Sequence, residues 1–152
     1  MLDAADLSAR LHEIIGAHLG LEGPLLPILH AIQAEWGHIP DPAIPVLANA
    51  LNLGRAEVHG VVSFYHDFRT TPAGPTVVKL CAAEACQAQG GRDLIAATLR
   101  AFGLSTYGTT PDGKVTVEPV YCLGLCACGP AALVNDRLLG RATPATLREA
   151  AR

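Results

Sequence analysis

The sequence predicts a helical N-terminal part followed by an α/β part that contains a small sheet. Three observations support this division. Apolar residues in the first 72 positions repeat at helical spacing. The segment TTPAGP, residues 70–75, carries two prolines and a glycine and is the best linker candidate. From Thr76 onwards, short apolar runs alternate with turn residues, as in strands. We therefore expect a helix bundle over residues 1–72 and a second domain over residues 73–152.

Four helices are expected in the first part. The first presents one apolar face and should end at Gly20, and the second covers residues 24–36. The third should begin at Asp41 and Pro42, where the carboxylate could cap free amides and the proline needs no donor. The fourth should cover residues 54–64. The apolar positions on which the first two helices rest are Leu7, Leu11, Ile14, Ile15, Leu25, Ile28, Leu29, Ile32 and Trp36.

The second part is predicted to alternate between strands and helices. TVVKLC, residues 76–81, predicts a strand, followed by a loop to Gly91 and a helix that ends at Gly103. KVTVEPV, residues 114–120, predicts another strand. A hairpin should follow, turning at residues 135–136, and Thr143 with Pro144 should open a last helix over residues 144–151. Strand followed by helix is typical of an α/β unit.

Composition and charge exclude several classes of function. Only 16% of the residues are charged, against about 25% in ordinary soluble domains, so part of the surface is expected to face partner proteins. The net charge is -3 and no Lys/Arg cluster is visible, so we expect no nucleic acid partner. The N-terminal segment lacks the pattern of a secretion signal, and no apolar run approaches the roughly 18 residues of a spanning helix. We expect a cytoplasmic protein without membrane insertion.

The cysteines carry the main chemical signal. Cys81 and Cys86 have four residues between them, Cys122 and Cys126 have three, and each pair lies where a predicted strand gives way to a loop. A [2Fe-2S] cluster needs four thiolates, two on each iron, and two spaced pairs on two loops supply them. Glycines at 90, 91, 124 and 129 would let the backbone approach such a centre closely, and backbone amides there could donate to sulfur. The chain is therefore expected to hold one [2Fe-2S] cluster on these four residues.

Two other interpretations of the four cysteines stay open at this point. A closed four-thiolate zinc site also takes two pairs at such spacings, and would make the chain an interaction module without redox activity. A thiol-redox enzyme is a third interpretation, although the usual pair separated by two residues is absent. Cys128 would point away from Cys126 if the loop is extended. It is either a small buried apolar residue or a substitute ligand, and we leave it outside the ligand set.

The remaining motifs suggest no catalysis by the chain alone. Neither a glycine-rich phosphate loop nor a nucleophile turn occurs, and none of the six histidines falls in a metal-ligand pattern. The stretch around His66 and Asp67 gathers three aromatic residues, Phe64, Tyr65 and Phe68, within five positions. Such a cluster suits an interface anchor, and ordinary core packing against the sheet is an equal alternative.

Two segments, CAAEACQAQGG and YCLGLCACGPAALVND, resemble the cluster-binding segments of the thioredoxin-like [2Fe-2S] ferredoxins, a family that includes the small cluster-carrying subunit of respiratory complex I. The resemblance extends back through GHIPDPAIPVLANALNLGRAEVHGVVSFYHDF and so covers nearly the whole chain. It implies a thioredoxin-like fold for residues 73–152, with Cys81, Cys86, Cys122 and Cys126 each taking a ligand position. Glu84, residues 64–69 and Cys128 within GLCACGP are most similar to the gamma subunit of soluble NAD-dependent formate dehydrogenases.

The resemblance also implies a role and partners. It implies an electron-transfer subunit of a multi-subunit NAD-dependent dehydrogenase, beside a flavin-bearing, NAD-binding subunit and a larger catalytic subunit with molybdenum or tungsten. NAD-reducing hydrogenases and complex I are the alternative parent complexes. A free-standing ferredoxin is a further alternative, against which the lack of a visible acidic docking patch argues mildly.

Overall fold

The computed structural model describes residues 4–152, with side chains from residue 6 onwards. The chain divides into two compact units, the first ending at Pro72 and the second spanning Ala73–Arg152. The boundary falls inside the linker segment 70–75, where no regular element forms. Each unit has its own apolar core.

In its described residues, 4–72, the first unit is built from four helices. They are α1 Ala4–His18, α2 Leu25–Trp36, α3 Ala43–Leu51 and α4 Arg55–Phe64. Their apolar stripes meet in one buried cluster, in which Ile28, Leu29, Ile32 and Leu47 are fully buried. Burial of one such side chain stabilises a fold by roughly 1.5–3 kcal/mol, so the stripe at helical spacing determines this unit.

Two helix ends differ from the expectation. The first helix ends at His18 and not at Gly20. The third begins after Pro42, which occupies the N-cap position, and no side chain caps this helix, so the predicted role of the Asp41 carboxylate is wrong. Asp41 contributes its backbone carbonyl, which accepts from the Ile44 N–H at 3.2 Å. A backbone turn in which the Pro40 carbonyl accepts from the Ala43 N–H at 2.8 Å thus replaces the side-chain cap.

The second unit contains five strands, three helices and one 3-10 helix. The strands are β1 Thr76–Cys81, β2 Gly108–Thr109, β3 Val115–Val120, β4 Ala132–Val134 and β5 Arg137–Leu139. The helices are α5 Glu84–Gln87, α6 Gly91–Ala101 and α7 Pro144–Ala150, and the 3-10 helix is Cys126–Cys128. The Thr143 hydroxyl accepts from the Thr146 N–H at 3.2 Å, so the predicted start of the last helix is confirmed.

The strands form one mixed sheet in the order β2-β3-β1-β4-β5. β1 and β3 are parallel neighbours joined by the crossover through α6, and the other pairs are antiparallel. The hairpin turns at Asn135, which has a positive φ of 49°. The Asn135 side chain accepts from the Val77 N–H at 2.8 Å, and this bond fixes the hairpin beside β1.

Two short elements in this unit were not expected from the sequence. The segment between β1 and α6, predicted as a loop, contains α5, which has only four residues. β2 has two residues and pairs with β3 at the edge of the sheet. Both are too short to show a periodic apolar pattern, so tertiary contacts decide their conformation.

Candidate metal centre

The first cysteine pair lies where the central strand meets a short helix. Cys81 is the last residue of β1, and Cys86 lies within α5. The Cys81 N–H donates to the Ala131 carbonyl at 3.0 Å, which holds this end of β1 against the segment before β4. Cys81 is 3% exposed and Cys86 is 2% exposed. Both thiols are therefore held inside the protein.

Gly91 explains how the helix after this pair packs so closely. A Cβ atom at Gly91 would lie 2.7 Å from the Cys86 carbonyl oxygen and 2.9 Å from its carbon. Glycine lets the first turn of α6 rest directly on the backbone of Cys86. This close approach joins two segments of backbone, and the expected approach of the backbone to a cluster at these glycines stays a prediction.

The second pair lies on an irregular loop. Cys122 follows the end of β3 and has a positive φ of 89°, and Cys126 opens the 3-10 helix. Gly124, between them, has a φ of 75°, and its N–H points to the Cys122 sulfur at 3.4 Å. Both cysteines of this pair are exposed. The second loop therefore presents its thiols at the surface.

The four thiols lie near one another as two pairs. Cys81 interacts through its side chain with Cys86, and Cys126 interacts in the same way with Cys122. The pairs are also close enough for Cys126 to interact electrostatically with Cys81 and Cys86. The structure thus places the four cysteines selected from the sequence within range of electrostatic interaction.

Backbone amides surround Cys81 in particular. Burial alone would raise the pKa of the Cys81 thiol, but hydrogen bonds from the amides of Ala83, Cys122 and Leu123, together with the Cys86 thiol, leave its pKa below the ordinary value. For Cys86, burial and then the neighbouring Cys81 raise the pKa. The negative charge of Cys122 is the main cause of the raised pKa of Cys126. A thiolate is thus best accommodated at Cys81, where amide dipoles replace water.

Cys128 takes a different position from the four others. It ends the 3-10 helix and is half-buried, so the extended loop assumed for it does not form. Its sulfur lies 2.8 Å from the point where a Cβ at Gly140 would be, and its carbonyl accepts from the Arg141 N–H at 2.6 Å. The residue packs the second loop against the segment that follows β5.

The fit of this site to a metal group rests on its donor chemistry. Thiolates are soft ligands that suit zinc and iron–sulfur clusters. Among residues 4–152, no group of three or more His, Cys, Asp or Glu side chains is arranged around one metal ion. The two thiols of each pair interact with each other, and the Gly124 N–H is directed at the Cys122 sulfur. Two irons that each take two thiolates match this arrangement.

The profile of the thioredoxin-like [2Fe-2S] ferredoxin family matches residues 11–152. The chain belongs to this family. The family carries one [2Fe-2S] cluster, and its thioredoxin-like fold corresponds to the mixed sheet with helices described above. The predicted family, fold class and cofactor are confirmed.

Relatives of this ferredoxin-family chain are subunits of larger oxidoreductases. It is 30% identical to the NADP-reducing hydrogenase subunit HndA of Solidesulfovibrio fructosivorans, covering 84% of this chain and 75% of the relative. It is 34% identical to one of the subunits of the NADH-quinone oxidoreductase of Aquifex aeolicus, covering 86% and 82%. It is 33% identical to the corresponding protein of Mycobacterium bovis, where the match spans 95% of this chain and only 59% of the relative.

A solved structure shows the same fold within a larger chain. The crystal structure of an air-oxidised NAD+-reducing [NiFe]-hydrogenase matches with a TM-score of 0.63 and 26% identity. The match covers 80% of this ferredoxin-family chain and 21% of the hydrogenase chain.

The aromatic cluster 64–68 divides into a buried and an exposed part. Phe68 is 8% exposed and packs in the helical core, where its ring lies 4.9 Å from that of His30. Phe64 is 73% exposed and Tyr65 43% exposed, and their rings meet edge to face at 5.2 Å. Core packing therefore applies to Phe68 and not to Phe64, and it takes place in the core of the helical unit, so the expected packing against the sheet is wrong.

The length and apolar character of the helices are relevant to the prediction that the chain does not insert into a membrane. In the part of the chain that the structure describes, none of the helices combines the length and the apolar character needed to cross a bilayer.

Sequence reasoning missed the side-chain amides of two residues beside this site, Gln87 and Gln89. Both lie within the segment QAQGG that follows Cys86, and both make hydrogen bonds around the cysteine loops. Polar side chains that alternate immediately after Cys86 were the available signal.

Proposed function

We propose that this chain holds one [2Fe-2S] cluster on Cys81, Cys86, Cys122 and Cys126 and transfers electrons within an NAD-linked oxidoreductase complex. The observation that carries the proposal is the proximity of the four thiols: the two thiols of each pair interact with each other, and Cys126 interacts electrostatically with Cys81 and Cys86. Each pair would hold one iron. The cluster supplies one-electron redox chemistry when it is bound.

The chain's own residues have separate tasks in this proposal. The first pair is buried with Ala131 and excludes water from one side of the site. Amides of Ala83, Cys122 and Leu123 are directed at the Cys81 sulfur and compensate negative charge. Neither cysteine loop contains a lysine or arginine, so backbone dipoles are the nearest source of compensation. The exposed second pair faces the side from which an electron partner can approach.

The parent complex that we propose is a molybdenum- or tungsten-containing, NAD-dependent formate dehydrogenase, in which this chain is the gamma subunit. Support comes from the similarity of Glu84, residues 64–69 and Cys128 to that subunit. The relatives described above belong to hydrogenase and NADH-quinone oxidoreductase complexes, which supports the broader class. The partners would be a flavin-bearing, NAD-binding subunit and a larger catalytic subunit, in the cytoplasm.

The decisive experiment measures metal, colour and spin state in the full chain purified without oxygen. We expect about two irons and two sulfides per chain and a spin-half signal in electron paramagnetic resonance (EPR) after reduction with dithionite. Cys86→Ala and Cys122→Ala should each lose most of the iron, because each leaves an iron with an open position. One zinc and no colour in a preparation that has not lost iron would overturn the proposal in favour of a zinc-stabilised module.

Assembly tests the proposed partners. Phe64→Ala should weaken co-purification with the flavin-bearing subunit and leave the stability of the isolated chain within about 0.5 kcal/mol, because this ring is exposed. Phe68→Ala is the matched control, since this ring is buried and its loss should destabilise the isolated chain. Unchanged assembly of the Phe64 variant would argue against this interface. Formate-dependent NAD reduction by the assembled complex, absent from complexes that lack this chain, would support the formate dehydrogenase assignment.

A further inference from the structure

One residue is bonded to a ligand of each proposed pair. The Gln89 backbone N–H donates to the Cys86 carbonyl at 3.1 Å. The Gln89 side-chain amide donates from Nε2 to the Cys126 carbonyl at 2.8 Å and to the Ala85 carbonyl at 3.0 Å. Gln89 therefore spans from the first cysteine loop to the second, which lies 37 positions away in the chain.

The packing around Gln89 keeps its amide in this place. A Cβ at Gly129 would lie 3.0 Å from Nε2, 3.1 Å from Cδ and 3.2 Å from Oε1 of Gln89. The absence of a side chain at Gly129 lets the amide lie flat against the backbone of the second loop. Contact on this face and two carbonyl acceptors on Nε2 restrict the side chain, although Gln89 is exposed.

The neighbouring Gln87 makes side-chain bonds of the same kind around the first loop. Its Nε2 donates to the Ala82 carbonyl at 2.6 Å, and its Oε1 accepts from the Arg92 Nε at 2.7 Å. Gln87 thus ties the start of α6 to the end of β1. The two glutamines differ in one respect that an experiment can use, since the Gln89 amide bonds to both loops and the Gln87 amide bonds to the first.

We propose that Gln89 is a positioning residue that fixes the second cysteine loop relative to the first, so that Cys126 keeps its position relative to Cys86. The inference rests on the proposed ligand set. The exposed loop 122–128 lacks the burial that holds Cys81 and Cys86, so a hydrogen bond from the first loop has the larger effect there. Gln89 retains the cluster and sets its environment through the position of Cys126, without contacting the iron itself.

The test uses the full chain with Gln89→Met, which keeps the length of the side chain and loses its donors, and Gln89→Glu, which keeps the shape and loses the N–H groups. Gln87→Met is the matched control. Three quantities are measured: iron and sulfide per chain, the rate of iron release to excess chelator, and the EPR spectrum after dithionite reduction. Hydrogen exchange of residues 122–128 in the metal-free chain provides a readout that needs no cluster.

We expect both Gln89 variants to release iron on the order of two- to tenfold faster than the wild type, the ratio that corresponds to one or two ordinary hydrogen bonds. Their EPR g-values should shift, and exchange in residues 122–128 should accelerate. Gln87→Met should leave the spectrum and this exchange at the wild-type values.

Wild-type release rates and spectra in the Gln89 variants would overturn the inference, as would equal effects of Gln89→Met and Gln87→Met. A wild-type chain without iron would instead overturn the proposed function and the ligand role of the loop. Hydrogen exchange would still decide whether Gln89 holds residues 122–128.

Discussion

The two cysteine loops reach the same site by different physical means. Cys81 and Cys86 lie on a strand and a helix and are almost fully buried. Cys122 and Cys126 lie on an exposed loop whose backbone takes positive φ values at Cys122 and Gly124. Packing fixes the first loop, whereas local backbone conformation and a few hydrogen bonds fix the second.

The two pairs of cysteines therefore differ in what they can contribute: the buried pair can stabilise negative charge, and the exposed pair is accessible to a partner. Amides directed at Cys81 lower the pKa of that thiol against the effect of burial, so negative charge is best stabilised on the inner side. The outer pair has fewer constraints, and Cys122 has its amide donor within its own loop, at Gly124. A subunit that exchanges electrons with a neighbouring protein needs one pair of cysteines that is buried and a second pair that is accessible from outside.

The largest expected effect is a difference in thiol reactivity between the loops. In the metal-free, folded chain, Cys122 and Cys126 should react with an alkylating reagent on the order of a hundredfold faster than Cys81 and Cys86, because buried groups react only after local opening. The lowered pKa of Cys81 favours its reaction, so slow labelling there would show that access dominates. Mass spectrometry of labelled peptides gives the rates, with half-buried Cys128 as internal reference.

Equal labelling of all four cysteines would contradict the proposed difference between a buried first loop and an exposed second loop, provided that circular dichroism shows a folded chain. A chain that unfolds without metal would label evenly for a trivial reason. The measurement is therefore made alongside the unfolding transition.

Two glycine substitutions probe the two kinds of constraint. Gly91→Ala should reduce the free energy of unfolding of the second unit by about 2–3 kcal/mol, since the new methyl group would collide with the backbone of Cys86. Gly124→Ala should cost only about 1 kcal/mol, since its φ of 75° strains an L-residue but nothing lies within 4 Å of the added atom. Urea denaturation of the full chain measures both.

The reverse order, with Gly124→Ala more damaging than Gly91→Ala, would mean that the first loop is not held by packing. Gly60→Ala, in the open middle of α4, is the control for the substitution itself. It should stabilise the first unit by roughly 0.5–1 kcal/mol.

The sequence predicted the elements that depend on periodic burial and missed those that depend on contacts. The β1 strand, the hairpin around Asn135 and the helix after Thr143 follow from apolar alternation and turn chemistry. The four cysteines could be selected because a [2Fe-2S] cluster needs four thiolates, and their spacing and their positions at strand ends supply two pairs on two loops. The bond from Gln89 to the second loop joins residues distant in the chain, and no local pattern encodes such a contact. The 3-10 helix at Cys126 has only three residues, too few to show a periodic apolar pattern.

The smallest expected effect is a change in the stability of the sheet unit that leaves the two cysteine loops unaltered. In the part of the chain that the structure describes, the Thr98 hydroxyl in α6 is fully buried without a hydrogen-bond partner. Thr98→Val should therefore raise the free energy of unfolding by about 1 kcal/mol. Thr116→Val is the control, because the Thr116 hydroxyl accepts from the Gly74 N–H at 2.7 Å and its removal should destabilise.

The rate of iron release distinguishes two explanations for the exposed loop. If the second loop opens independently, Thr98→Val raises the urea midpoint and leaves release to chelator at the wild-type rate, because Thr98 lies in neither loop. Release that slows in proportion to the added stability would instead mean that the whole sheet unit must unfold before iron leaves. In that case the buried and exposed cysteines would differ only in their accessibility to solvent, and neither loop would open before the other.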